Sequence, residues 1–222
     1  MKLVYPDIGF LLDTEEGLVN TLVIENQSLF CSLLNDLHDQ LSGLDGRAVL
    51  SVRNNPVEIS KRMELLTTFV PFELNQKTLL AKITAELEKE AVGDVFYPRT
   101  LELLSALETY LNDLAFGYSC DLAFTKLNLA SILKAVGVEI RSDGSSLGEK
   151  LVDYFELVTE FIGAKLFVTV NLRSFMPDRE TELFLDTVLK HGYNLIMLES
   201  SEHNRLSNEK RYIVDTDLCE IC

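Results

Sequence analysis

The sequence predicts an α/β protein: a parallel-sheet domain interrupted by an all-helical segment. Three observations predict it. First, KLFVTVNL (Lys165 to Leu172) holds five apolar residues in eight, three of its positions are β-branched, and Gly163 and Met176-Pro177 bound it. That pattern reads as a strand buried on both faces. Second, the period changes over Asp178–His191, where Leu183, Phe184, Val188 and Leu189 recur at helical spacing before Gly192, and NLIMLES (Asn194 to Ser200) follows at once. Strand, helix and strand in so short a span read as a right-handed βαβ unit. Third, from about Ser60 to Gly137 no segment has the pattern of a strand.

The remaining elements follow in order. Lys2–Leu12 and Leu18–Ile24 are apolar runs separated by the polar cluster Asp13–Gly17, which predicts an antiparallel hairpin. Asn26 and Ser28 are candidate caps for a helix with the stripe Leu29, Leu33, Leu34, Leu37 and Leu41, ending at Gly43. Asp45-Gly46 turns into a short strand, Ala48–Val52, which Asn54-Asn55-Pro56 breaks. Lys77–Ala91 alternates charge around Leu79, Leu80, Ile83 and Leu87 and reads as a helix. Pro98 opens a second helix that runs to Gly117, and a third covers Leu127–Val136. Strands are expected to resume at Val138–Arg141, followed by a helix over Ser146–Ile162 and a last strand at Arg211–Asp215. The expected domains are therefore residues 1–60 with 138–222, and a helical segment at 61–137.

At 222 residues, 47% hydrophobic and 25% charged, the chain is long enough for one good core, or a core plus a smaller appended lobe. No apolar run reaches a membrane span, and Met1–Leu11 lacks the pattern of a signal peptide, so a cytoplasmic protein is expected. Cys31, Cys120, Cys219 and Cys222 are too scattered for a disulfide framework. The terminal Cys219-Glu220-Ile221-Cys222 matches CxxC, but no helix follows to activate a thiolate, and a plain tail is the expectation. The net charge of −15 argues against broad, non-specific adhesion to nucleic acid. DNA contact would need a local basic lining or a bound cation.

A parallel sheet directs attention to phosphate chemistry. No GxxxxGK[ST] or GxGxxG is present, and the first strands lead into Glu25-Asn26-Gln27-Ser28, which offers neither glycines nor lysine to a triphosphate. Gly144-Ser145-Ser146-Leu147-Gly148 matches GxSxG, with Asp186 and His191 downstream in hydrolase order. Ser146-Leu147-Gly148-Glu149 is equally a capping box, which accounts for both polar residues as a helix start. His38, His191 and His203 are widely spaced and form no metal motif. Arg173, just past the central strand, stands where α/β folds bind ligands. The basic residues Lys61, Arg62, Lys126, Lys134, Arg141 and Lys150 fall near the expected junction between helical segment and sheet domain, and are the candidate DNA contacts. No aromatic interleaving marks a single-strand-binding surface.

The arrangement resembles a known family. A long segment, CDLAFTKLNLASILKAVGVEIRSDGSSLGEKLVDYFELVTEF (Cys120–Phe161), followed by KLFVTVNL and NLIMLES, is similar to the CRISPR-associated spacer-acquisition ring protein of type II-A systems. The likeness is best over Asp121–Asp215; over Met1–Gly117 mainly element order and length agree. It implies an α/β head with a degenerate core like that of the P-loop nucleotide hydrolases, and an inserted all-helical leg. It also implies a non-catalytic homotetrameric ring that carries calcium and holds double-stranded DNA by its ends. The implied partners are the CRISPR integrase proteins and the RNA-guided effector nuclease. One departure stands out. Where the family has several carboxylates, this chain keeps Asp121 as the candidate metal ligand but has Ala123, Thr125 and Lys126 beside it. Lys126 is a candidate to take over a cation's role towards phosphate. Two other readings remain open: an interaction scaffold of the same machinery without DNA binding, and an enzyme using Ser146 or the Arg173 loop.

Overall fold

The structure is a computed structural model and describes residues 1–221. Cys222, half of the CxxC, lies outside them. Among the described residues the strands form two sheets. The larger is built round β7 (Leu166–Val170), buried at every position, as an apolar run without alternation requires. Helix α7 (Asp178–His191) follows, ends at Gly192 in the left-handed conformation, and returns the chain to β8 (Asn194–Glu199). Strands β7 and β8 are parallel neighbours, Val168 beside Ile196.

Strand β3 (Val19–Ile24) does not form a hairpin with the segment before it. It is wholly buried and lies parallel between β8 and β9 (Glu209–Val214). The expected hairpin instead lies inside Lys2–Asp13, where β1 (Lys2–Tyr5) and β2 (Ile8–Asp13) turn at Pro6-Asp7. Asp13–Gly17 becomes a single helical turn that carries the chain from one sheet to the other. The smaller sheet is completed by β4 (Val49–Val52) and β5 (Asn55–Val57). Asn54-Asn55-Pro56 thus turns the strand back instead of ending it. Arg53 and Asn54, at φ 50° and 62°, form the tight turn whose twist suits a two-residue hairpin.

Helix α1 (Gln27–Leu41) packs between the sheets. Asn26 caps it, its side chain accepting from the Leu29 N–H at 3.0 Å, and Leu29, Leu33 and Leu37 are buried. Helix α2 (Ile59–Arg62) leads into β6 (Met63–Leu66), which pairs in parallel with β7. This strand lies in the stretch read from sequence as free of strands, and it moves the domain boundary. The compact units are Met1–Leu74 with the chain from Ser142 onward, and Asn75–Arg141. The strand Met-Glu-Leu-Leu is four residues long, too short for its period to separate it from a helical turn.

The second unit contains α3 (Lys77–Ala91), α4 (Tyr97–Ala115) and α5 (Leu129–Val136). Val138–Arg141 is not a strand. The Ile140 N–H and C=O bond to the two ends of the Asn75 amide, at 2.8 and 3.2 Å, so a side chain satisfies groups that a ladder would otherwise have to. In the first unit, α6 (Leu147–Leu157) is followed by a π-helical turn through Ile162. Together α6 and α7 cover the face of the larger sheet opposite α1, where Phe155 stacks on Phe167 at 3.8 Å between ring centroids. A strand of two residues, β10 (Glu220–Ile221), closes the sheet edge at β9, and the order is β10-β9-β3-β8-β7-β6.

Candidate functional site

The carboxyl ends of β7 and β8 are where a parallel sheet usually offers a ligand site. Here that place is filled by a charged network. Asn171 ends β7 in the left-handed conformation (φ 55°), and its side chain accepts from the Ser200 N–H, tying the two strand ends together. Arg173 follows. Only 1% of its side chain is exposed, and its guanidinium reaches Asp178 at 2.6 Å, the Asn204 carbonyl at 3.1 Å and Glu209 at 3.6 Å. Arg211, on β9, pairs with Glu209 and Glu202 and donates to the carbonyls of His203 and Asn204. The two arginines therefore pin the loop over residues 200–208 onto the sheet.

Glu199 lies beneath this loop. Its Oε1 accepts from the Arg173 N–H, and its Oε2 faces His203 Nε2 at 3.6 Å; neither facing atom has a hydrogen-bond partner. Burial raises the Glu199 carboxyl to about 7, opposed by the Arg173 N–H and charge. Burial and then Arg173 lower the His203 imidazole. A perturbed carboxyl beside an imidazole has the composition of an acid–base pair. Both facing atoms are enclosed, and the cavity lined by His203, Arg205 and Arg211 does not include Glu199. Glu199 belongs to the interior, while His203 lines the cavity with its enclosed Nε2 turned away from it.

Sequence reading picked out Arg173 but not its partners. Glu199 ends β8, and Glu209 and Arg211 lie on β9, all of them beyond α7 from Arg173 in the chain. The one signal was a carboxylate at the end of the apolar strand NLIMLE, which needs a buried counterpart.

The GxSxG segment is a helix start. Ser146 Oγ accepts from the Glu149 N–H, and the Glu149 carboxylate accepts from the N–H groups of Ser146 and Ser145, at 3.2 and 2.7 Å. Those N–H bonds hold the Glu149 carboxyl below its usual range. His191 stacks on Tyr193 at the far end of α7, while Gly148, beside Ser146, bonds to Glu180 in its first turn. The eleven-residue separation along that helix is about 16 Å, so Ser146, Asp186 and His191 form no catalytic set. Ser146→Ala is expected to cost about 1 kcal/mol in urea unfolding through loss of the cap alone. A change below 0.3 kcal/mol would remove the cap from the account.

The junction between β3 and α1, where a phosphate loop would stand, is occupied by protein. Asn26 caps the helix with Oδ1, and its Nδ2 donates to the Thr216 carbonyl at 2.9 Å.

Of the candidate DNA contacts, Lys61, Arg62 and Lys150 belong to the first unit, and Lys126, Lys134 and Arg141 to the second. Lys61 is paired with Glu58 at 2.6 Å. Among the described residues the other five form no salt bridge. Arg62 ends α2 just before β6, where its carbonyl accepts from the Lys165 N–H, and Lys150 lies at the opposite end of the sheet, in the first turn of α6. Asp121 is exposed in the segment between α4 and α5. Among the described residues no three His, Cys, Asp or Glu side chains are grouped to hold a metal ion. With Leu122, Ala123, Phe124, Thr125 and Lys126 following it, Asp121 does not supply the oxygen set that calcium requires.

No helix among the described residues is long and apolar enough to cross a membrane. The fold and these sites describe a mixed α/β protein in which the ligand end of the sheet is sealed and the GxSxG serine is a helix cap. Comparison supplies the class: residues 40–218 match the family model described as CRISPR-associated protein (Cas_Csn2). A relative named CRISPR-associated protein Csn2, from Streptococcus agalactiae, is 21% identical over 203 residues, covering 88% of this chain and 87% of its own. The chain belongs to the Csn2 family of CRISPR-associated proteins.

Proposed function

We propose that the protein is a non-catalytic, double-stranded-DNA-binding ring protein that acts in CRISPR spacer acquisition. The observation that carries this reading is membership of the Csn2 family over most of the chain. Two features support it. The phosphate-loop position is closed by Asn26 and Thr216, as expected of a degenerate nucleotide-binding core. Exposed Arg62, Lys126, Lys134 and Arg141, with half-buried Lys150, form no salt bridge among the described residues and are available to phosphate oxygens. On this reading the chain assembles as a homotetramer, receives linear duplex by its ends, and works beside the integrase proteins and the RNA-guided nuclease. The residues at Asp121 do not fit calcium, so no calcium is assigned to that position. Lys126 supplies the positive charge there.

The test is duplex binding across a salt series, coupled to mass by light scattering. A tetramer that captures linear but not circular DNA is expected, with log affinity falling linearly against log salt. Neutralising Lys126, Lys134 and Arg141 together is expected to flatten that line by roughly 0.9 for each phosphate left without its cation. Equal capture of circular DNA would refute entry by ends. A chain that ignores DNA at low salt would favour the scaffold reading, for which the net charge of −15 is the supporting observation.

A further inference from the structure

The outward faces of α6 and α7 leave between them a groove of about 290 Å³. Its floor is apolar: Phe184 is buried, Val152 half-buried, and Gly148 adds no side chain. Leu183 forms one wall and is 61% exposed, an unusual place for a large aliphatic group on a helix whose other apolar residues point inward. The rim is acidic. Glu149, Val152, Asp153 and Glu156 recur along α6 at the spacing of one helical face, and Glu180 stands opposite on α7. Lys150, Arg179 and Lys190 are the basic residues on the two helices, against seven carboxylates: Glu149, Asp153 and Glu156 on α6, and Asp178, Glu180, Glu182 and Asp186 on α7.

We propose that this groove docks a basic amphipathic helix of a partner protein, its aliphatic side chains over Leu183 and Phe184 and its lysines or arginines against the carboxylate rim. A helix laid in a groove between two helices is an established recognition mode, with the apolar anchor giving affinity and the charges giving orientation. The chemistry of the rim chooses the partner. Phosphate-bearing nucleic acid and anionic lipid are repelled by Glu149, Asp153 and Glu180, and the overall negative field steers cationic partners inward. The rim carboxylates are already ordered: Glu180 accepts from the Gly148 N–H at 3.0 Å, and Asp153 is bonded to Ser142. They need little rearrangement to meet a cation. The inference is independent of DNA binding and stands if that fails.

The probe is a fluorescein-labelled, 14-residue peptide of leucine and lysine only, arranged as an amphipathic helix, titrated with the full chain at moderate salt. A scrambled peptide of the same composition is the control for charge alone. Saturable binding of the amphipathic peptide is expected, at least tenfold tighter than the scrambled one. Leu183→Asp is expected to weaken it at least tenfold without moving the thermal midpoint or DNA affinity. The double variant Asp153→Asn with Glu180→Gln keeps both hydrogen-bond acceptors while removing two charges, and is expected to weaken binding several-fold and lessen its salt dependence. Equal affinity for the two peptides, no saturable binding, or equal affinity of the wild type and Leu183→Asp would each overturn the proposal.

Discussion

Arg173→Ala is expected to destabilise the protein by about 3–5 kcal/mol, read as a lowered urea midpoint. The guanidinium is 1% exposed and the Glu209 carboxylate it faces is fully enclosed, so the variant leaves a buried anion with Arg211 as its remaining ionic partner. Breaking a buried pair from one side costs far more than the pair contributes net, because the abandoned charge cannot reach water. The effect should also be local. Arg173 and Arg211 both hold the Asn204 carbonyl, so proteolysis over residues 200–208 should accelerate in the variant. A loss below 1 kcal/mol would show that Arg211 alone neutralises Glu209.

Glu199→Gln is expected to be close to wild type at pH 5 and more stable by up to about 3 kcal/mol at pH 8. The folded carboxyl titrates at about 7 against 4.5 for the free group. Between those values the unfolded chain has released its proton while the folded chain has kept it. Wild-type stability therefore falls as pH rises through this window, by about 1.4 kcal/mol per unit, and is level above it. The amide does not titrate, keeps an oxygen for the Arg173 N–H, and presents an N–H towards His203 Nε2. The lowered His203 contributes with the opposite sign, stability falling as pH drops below its unfolded value, but it is present in both proteins and largely cancels in the difference. The charged groups around the site, Arg173, Asp178, Glu209 and Arg211, are unchanged by the substitution. Urea unfolding of both proteins at pH 5 and pH 8 gives the answer; an equal difference at the two pH values would mean that Glu199 titrates normally.

Where period and composition agree, the fold was legible in the sequence. The β7–α7–β8 unit, Asn26 as a cap and the Ser146–Glu149 capping box are local features, set by residues within a few positions of one another. What failed was pairing. Val19–Ile24 has the unbroken burial of an interior parallel strand, yet its closeness to Leu12 favoured a hairpin, and Pro6-Asp7 was passed over as the real turn. Val138–Arg141 alternates like a strand, but only Asn75, 65 positions earlier than Ile140, shows where its backbone groups bond. The polar network was hidden for the same reason: a buried carboxylate and its arginine need not be neighbours in the chain. The acidic groove was written into two helices that could each be read alone, but their juxtaposition was not.

The placement of β3 has a consequence for how the protein is made. Both its neighbours, β8 and β9, come from the last part of the chain, and Val19 is paired with Glu209. A ribosome adding ~5–20 residues per second takes on the order of ten seconds or longer between them. Throughout that interval a wholly buried strand of the larger sheet has neither side of its ladder, and α1 has only part of its floor. Asn75–Arg141, whose contacts are nearer in sequence, emerges meanwhile and is free to fold first. The apolar run Val19–Ile24 is thus the segment most in need of a chaperone during synthesis, and a pause late in translation would prolong its exposure.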